Sequence, residues 1–207
     1  MRTILSLISL TVALQASPEL QLTSGATTVT IAEGSAGDKC PDPSCTTFIG
    51  PIGEWDINVT TGVDGGGTIP FLDLDSIDAI RTGAEVNPIT VMYSVDTLSF
   101  VNPDYLQEAF GGTTSSGDVT FSVWTGSTEF ALTHEIGPTL TFTGGAFSGI
   151  ESEGIPPGDS TMTIVATIDL GKGNSGAASF DATVNAVPEP ATVVLLGVAL
   201  LMLFKRR

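Results

Sequence analysis

A chain of 207 residues with 7 Lys and Arg against 23 Asp and Glu, a formal charge of −16, excludes nucleic acid as a main partner, because so acidic a surface repels phosphate. Four of those cations (Arg2, Lys205, Arg206, Arg207) stand at the two ends; the stretch between them holds only Lys39, Arg81 and Lys172 against all 23 carboxylates, three minus 23 or −20. With 24 glycines, 7% aromatic residues and no runs of strong helix formers, the composition excludes a helical domain and suits an all-β extracellular one.

The N-terminus reads as a secretory signal peptide over residues 1–16: a positive charge at Arg2, an apolar core from Ile4 to Leu14, and a small residue at Ala16. Its apolar core falls well short of the ~17 residues that a permanent membrane span needs. Beyond it, Leu20-Gln21-Leu22 and Thr28 to Ile31 alternate apolar and polar, the mark of half-buried strands. Glu33 to Cys45 reads as a loop. The two cysteines lie in it as Cys40-Pro41-Asp42-Pro43-Ser44-Cys45, and in an exported chain this spacing predicts a disulfide between Cys40 and Cys45. A zinc site would want four ligands, and a redox motif two intervening residues where this chain has four.

In Glu54 to Thr60, Trp55, Ile57 and Val59 share one face, so Trp55 is expected in a core before it is expected under a sugar. Asp73, Asp75 and Asp78 offer oxygen ligands of the kind calcium takes, but the turn glycine and terminal glutamate of an EF-hand loop are missing, and a solvated strand face is the plainer reading. No metal ligand and no cofactor is therefore assigned. Ile89 to Val95 is a strong strand, continuing over Leu98 to Val101 after a bend. Asn102-Pro103 carries the signature of a helix start, which predicts a two-turn helix over 103–110 closed by Gly111-Gly112. Further strands are expected at Val119 to Trp124, Glu129 to Thr133, Thr139 to Thr143, Met162 to Leu170 and Ser179 to Asn185. In Met162 to Leu170 the even positions form the buried row.

Roughly ten strands at this spacing, with no alternation of strand and helix, predict an antiparallel β-sandwich, jelly-roll or immunoglobulin-like, over residues 17–186. Catalysis has little to stand on. His134 is the one histidine, placed at a strand end without a serine elbow, and a carboxylate pair cannot be singled out among 23. The expectation is a protein that is not an enzyme and has no catalytic residue. Trp124 lies opposite Phe121 and Val123, so its exposure bears on ligand binding.

Residues 187–207 form a unit of another kind. Val187 leads into Pro188-Glu189-Pro190, then a mostly apolar run of fourteen residues from Ala191 to Phe204, then Lys205-Arg206-Arg207. The prolines stop the last strand, the apolar run predicts a transmembrane helix, and the three cations fix its orientation by remaining cytoplasmic. At ~1.5 Å per residue, fourteen residues reach about 21 Å of a ~30 Å hydrocarbon core, short for a permanent anchor. This order of parts resembles the PEP-CTERM domain of exosortase-processed bacterial exported proteins, the hallmark tripeptide standing at Pro188, Glu189 and Pro190. The resemblance implies export through the inner membrane, anchoring by the C-terminal helix, processing near the tripeptide by an exosortase-type enzyme, and a final place at the cell surface or in the extracellular matrix. It further implies association with exopolysaccharide and biofilm. With the acidity and the missing catalytic motifs, the expectation is a structural component there or, alternatively, a carbohydrate- or calcium-binding module.

Overall fold

The protein's structure, a computed structural model, describes residues 18–42, 44–63, 71–83, 87–96, 105–154, 159–171 and 175–187. The strand predicted at Leu98 to Val101 lies outside these residues. Eleven strands follow one another: β1 (Pro18–Ser24), β2 (Thr27–Ala32), β3 (Thr47–Ile52), β4 (Trp55–Thr60), β5 (Gly62–Val63), β6 (Phe71–Arg81), β7 (Ile89–Val95), β8 (Tyr105–Gly126), β9 (His134–Gly154), β10 (Thr161–Asp169) and β11 (Gly176–Val187). All pairings are antiparallel, in the order β2-β1-β7-β10-β8-β11-β6-β4-β3, with β5 on β6 and β9 on β8.

The path folds into two layers because β8 belongs to both. Its second half, from Asp118, pairs with β10; its first half, up to Thr114, pairs with β11. One layer is therefore β2-β1-β7-β10-β8 and the other β3-β4-β6-β11-β8, with β9 flanking both halves of the shared strand. At the crossing, Ser115, Ser116 and Gly117 stand against Gly144 alone, and the strand pair turns the corner there. Gly117 has φ +67°, and a side chain at that position would run into the carbonyl oxygen of Asp169 and the backbone of Leu170. Gly117→Ala should lose about 2 kcal/mol or more, since it adds positive-φ strain to a clash with backbone; a shift in the urea midpoint measures it.

Alternation in the sequence becomes burial in the layers. Leu20 and Leu22, Val91 and Tyr93, Ile164, Ala166 and Ile168 line the first inner face, while Trp55, Ile57 and Val59, Leu72 and Leu74, and Phe180, Ala182 and Val184 line the second. The even row of β10 is buried as its pattern predicts, with Thr161 and Thr163 buried beside it. Side-chain bonds join the layers at both ends. At one, the Trp55 indole N–H donates to Asn87 O at 3.1 Å, and the buried Arg81 donates to Gly171 O at 2.9 Å. At the other, the Thr46 hydroxyl donates to Pro18 O at 3.3 Å.

Two expected elements are corrected. Of the helix expected over 103–110, the described part, from Tyr105, is instead the start of β8. Leu106 and Phe110 fit a helix face and a strand face equally, and ladders to β11 on one side and β9 on the other satisfy the backbone in the extended form. The strand at Glu129 to Thr133 is a turn between β8 and β9. Phe130 has φ 57°, outside any strand, and its N–H donates to Ser94 Oγ at 3.1 Å. His134 accordingly opens β9 and does not end a strand, and the short strand expected at Thr139 to Thr143 is part of a 21-residue one.

Candidate functional site

The signal peptide expected at residues 1–16 and the sorting residues Pro188, Glu189, Pro190, Lys205, Arg206 and Arg207 lie outside the described residues. Among the described residues, no helix is long and apolar enough to cross a membrane. What the structure shows is the platform from which the tail departs. β11 runs between β8 and β6, with its last residue, Val187, opposite Tyr105, so no slack chain separates the sheet from Pro188.

That end of the sandwich gathers carboxylates. Glu108 sits on the inner face of β8 between Leu106 and Phe110, 1% exposed, and neither of its oxygens has a hydrogen-bond partner. Loss of hydration pushes its pKa up to about 8, and the charges of Glu151, Glu135 and Glu153 on β9 add to the effect. Nearby Glu129 is raised too, by burial first, then by the charge and hydrogen bond of Glu19 and the charge of Asp96. His134 Nδ1 lies at hydrogen-bond distance, 2.8 Å, from Asp159 Oδ2, and the Thr125 hydroxyl donates to the same oxygen at 2.7 Å. Those contacts hold the Asp159 carboxyl below its usual range, the Thr125 bond contributing most. Because Thr125 gives its proton to the carboxylate and not to the imidazole, this trio lacks the nucleophile-to-base bond of acyl-transfer sites.

Cys40 and Cys45 are joined as a disulfide, with Cα atoms 6.0 Å apart, in the loop between β2 and β3. Asp38 fastens the same loop: its Oδ1 accepts from the N–H groups of Cys40 at 2.8 Å and Thr47 at 2.9 Å. A loop so short constrains the unfolded chain modestly, so reduction should lower stability by about 2 kcal/mol, read as a shift in denaturant midpoint with and without reductant.

The other suggested residues are placed as follows. Asp73, Asp75 and Asp78 share the outer face of β6; burial, then Asp75 and Asp181, push Asp73 up to about 6. Among the described residues, no three His, Cys, Asp or Glu side chains are grouped to hold a metal ion. Trp55 is 1% exposed, in the core. Trp124 is half-buried and its indole N–H donates to Ser122 Oγ at 2.9 Å. At the end of the sandwich opposite Val187, Ser24, Gly25, Ala26, Thr27, Gly53, Glu54 and Asn87 line a polar cavity of about 200 Å³. Sequence reasoning missed Glu108 because a glutamate in a presumed helix reads as solvent-facing; its position between Leu106 and Phe110, period two, was the available signal.

Comparison with curated proteins finds no match. Among solved structures, the sandwich is similar to a protein described as CBM4, with 14% identity over 70% of this chain and 88% of the other and a TM-score of 0.38. It is similar to the family 11 carbohydrate-binding module of cellulosomal cellulase Lic26A-Cel5E of Clostridium thermocellum, with 15% identity over 77% and 98% and a TM-score of 0.36. It also resembles the enzymatically active domain of bacteriophage CBA120 tailspike protein 4, with 10% identity over 61% of this chain, a TM-score of 0.36 and only 18% of that chain spanned. Likenesses this distant define neither ligand nor activity. The tail is decided differently: residues 186–207 match the family model of the PEP-CTERM protein-sorting motif, which implies export, membrane anchoring and exosortase processing. The chain is a PEP-CTERM domain-containing protein, an antiparallel β-sandwich whose last strand runs straight into its sorting signal.

Proposed function

We propose that this protein is a structural component of the cell surface or exopolysaccharide matrix, without catalysis of its own, and that its sorting tail serves only to deliver the sandwich there. The observation that carries the reading is the junction at Val187, where a central strand passes into the sorting motif without a linker. A domain so attached is cargo fixed to its address label. The −20 balance between the chain ends supports solubility in a hydrated polysaccharide layer, and the Thr125-bound Asp159 beside His134 supports a role without acyl transfer.

The test is fractionation of cells that make the full chain or a chain ending at Val187, with mass spectrometry of the mature C-terminus. The full chain should be found in envelope and matrix fractions with its C-terminus cut near Pro188-Glu189-Pro190, and the shortened chain in the medium. Identical distribution of the two would overturn the reading. Heat on titrating the purified domain with matrix polysaccharide would move it to a carbohydrate-binding module, and glycan cleavage would move it to an enzyme.

A further inference from the structure

Between Glu135 and Glu151 the chain runs for 15 residues without an acid or a base, in a protein with 23 carboxylates. That run lies in β9. Among the described residues β9 pairs with β8 alone, so along its 21 residues the backbone groups on the other side have no strand to meet. Edges are ordinarily blunted by brevity, proline, bulges or charge, because a bare one pairs with another chain. β2 and β3, at the two ends of the strand path, are six residues each, and β3 carries Pro51. The first half of β9 carries Pro138 at the break in register opposite Ser122. The second half, from Gly145, pairs with β8 without a break and has no proline, lysine or arginine. The segments outside the described residues that join this strand pair, 97–104 and 155–158, meet it at Tyr105 and Gly154, about 26 Å from Ala146 at ~3.3 Å per residue.

The core is also unfinished along this edge. Leu140, Phe142 and Phe147 pack against it yet stay half-buried, and Ile150 on the outer face is 66% exposed. Phe142 and Phe147 stack at 4.8 Å across the two halves of β9. Gly149 faces Leu140 in the same way: a side-chain carbon on it would come within 3.1 Å of Leu140 and 2.8 Å of the Phe142 ring. The two halves therefore stand one above the other, Leu140 in one layer over Gly149 in the other.

We propose that β9 pairs antiparallel with β9 of a second copy of this chain, about a two-fold axis through Leu140 and Gly149, so that both layers continue across the dimer. Because those two residues face each other, one axis perpendicular to the layers serves both halves of the strand. With Gly149 on the axis, Ser148 lies opposite Ile150 of the second copy, Phe147 opposite Glu151 and Gly145 opposite Glu153, so no carboxylate meets a carboxylate. A second copy is the partner this edge fits. The acidic surface elsewhere repels a copy of itself, whereas here no charge opposes it, and the isologous arrangement sets apolar against apolar while covering Leu140, Phe142 and Phe147. The dimer concerns the sandwich alone and does not depend on how the tail is processed.

The test is sedimentation velocity of the purified full chain in dodecyl maltoside micelles over a range of concentrations. The unmodified chain should form a dimer. Ser148→Lys with Ile150→Lys changes two exposed positions and sets lysine against lysine, and Ser148→Glu with Ile150→Glu sets glutamate against glutamate. Each double variant should raise the dimer dissociation constant at least tenfold, and an equimolar mixture of the two should restore the dimer. The proposal is overturned by an unmodified chain that stays monomeric throughout, by double variants that dimerise as tightly as it does, or by a mixture that stays monomeric. None of those results alters the distribution of the chain between cell fractions, which tests the sorting reading separately.

Discussion

Replacing Glu108 by glutamine will stabilise the domain at pH 9 and give no stabilisation at pH 5. The carboxyl is buried without a hydrogen-bond partner, and Glu135, Glu151 and Glu153 on the two halves of β9 face it, so its pKa rises from 4.5 to about 8 in the folded state. β11 supplies only the apolar Val184 opposite, which offers no compensating charge. Between pH 4.5 and 8 the folded chain keeps a proton that the unfolded chain has lost. Stability therefore falls as pH rises through this window and is flat above it, by something on the order of 4 to 5 kcal/mol at ~1.4 kcal/mol per unit. Glutamine removes that penalty but retains a buried amide, at a cost of about 1 to 3 kcal/mol. The net gain at pH 9 should be about 1 to 4 kcal/mol, against no gain or a loss at pH 5. Urea titrations at the two pH values decide it, and an effect of equal size at both would refute the assignment. Asp73 and Glu129, both raised, bias stability the same way, so the domain should be most stable in mild acid.

Phe121→Ala should be the most damaging single truncation in the core. Phe121 is 1% exposed and, from the half of the shared strand that pairs with β10, makes ring contacts to the other layer and to the edge: Phe110 stacks at 4.7 Å, Phe180 meets it edge-on at 4.8 Å, and Phe142 and Phe147 approach to 5.9 Å. A buried phenylalanine lost to alanine costs about 3 to 5 kcal/mol, with ring-pair terms included, out of a total stability of about 5 to 15 kcal/mol. Phe142→Ala, half-buried on the edge strand, should cost less than half as much. Equal midpoint shifts for the two would show that the cluster is not centred on Phe121.

What the sequence disclosed and what it hid follow from how local each signal is. The alternation of Trp55, Ile57 and Val59, or of Ile164, Ala166 and Ile168, is written in adjacent residues and survives folding unchanged. The sorting motif is likewise a contiguous string. The start of β8 was hidden because Asn102-Pro103 is a genuine helix-start signal, overruled by ladders to β9 and β11 that are distant in sequence. The turn at Phe130 was hidden for the converse reason: Phe130, Leu132 and Thr133 favour strands, but β8 must reverse there to meet β9. Glu108 was hidden because its burial depends on which side of a misread element it occupies. The corner at Gly117 needed knowledge of the β10–β11 connection, since it is the backbone of Asp169 and Leu170 that a side chain there would strike.

The shared strand and the late central strand also bear on when this domain becomes a domain. β8 supplies the seam between layers, and β11, the last strand among the described residues, fills the gap between β8 and β6. A polypeptide threaded across a membrane from its N-terminus therefore exposes β1 to β7 before either layer can be completed, and non-local pairing of this kind is slow. Closure waits for the residues directly ahead of the sorting signal. Completion of the sandwich and emergence of the sorting signal are thus nearly the same event.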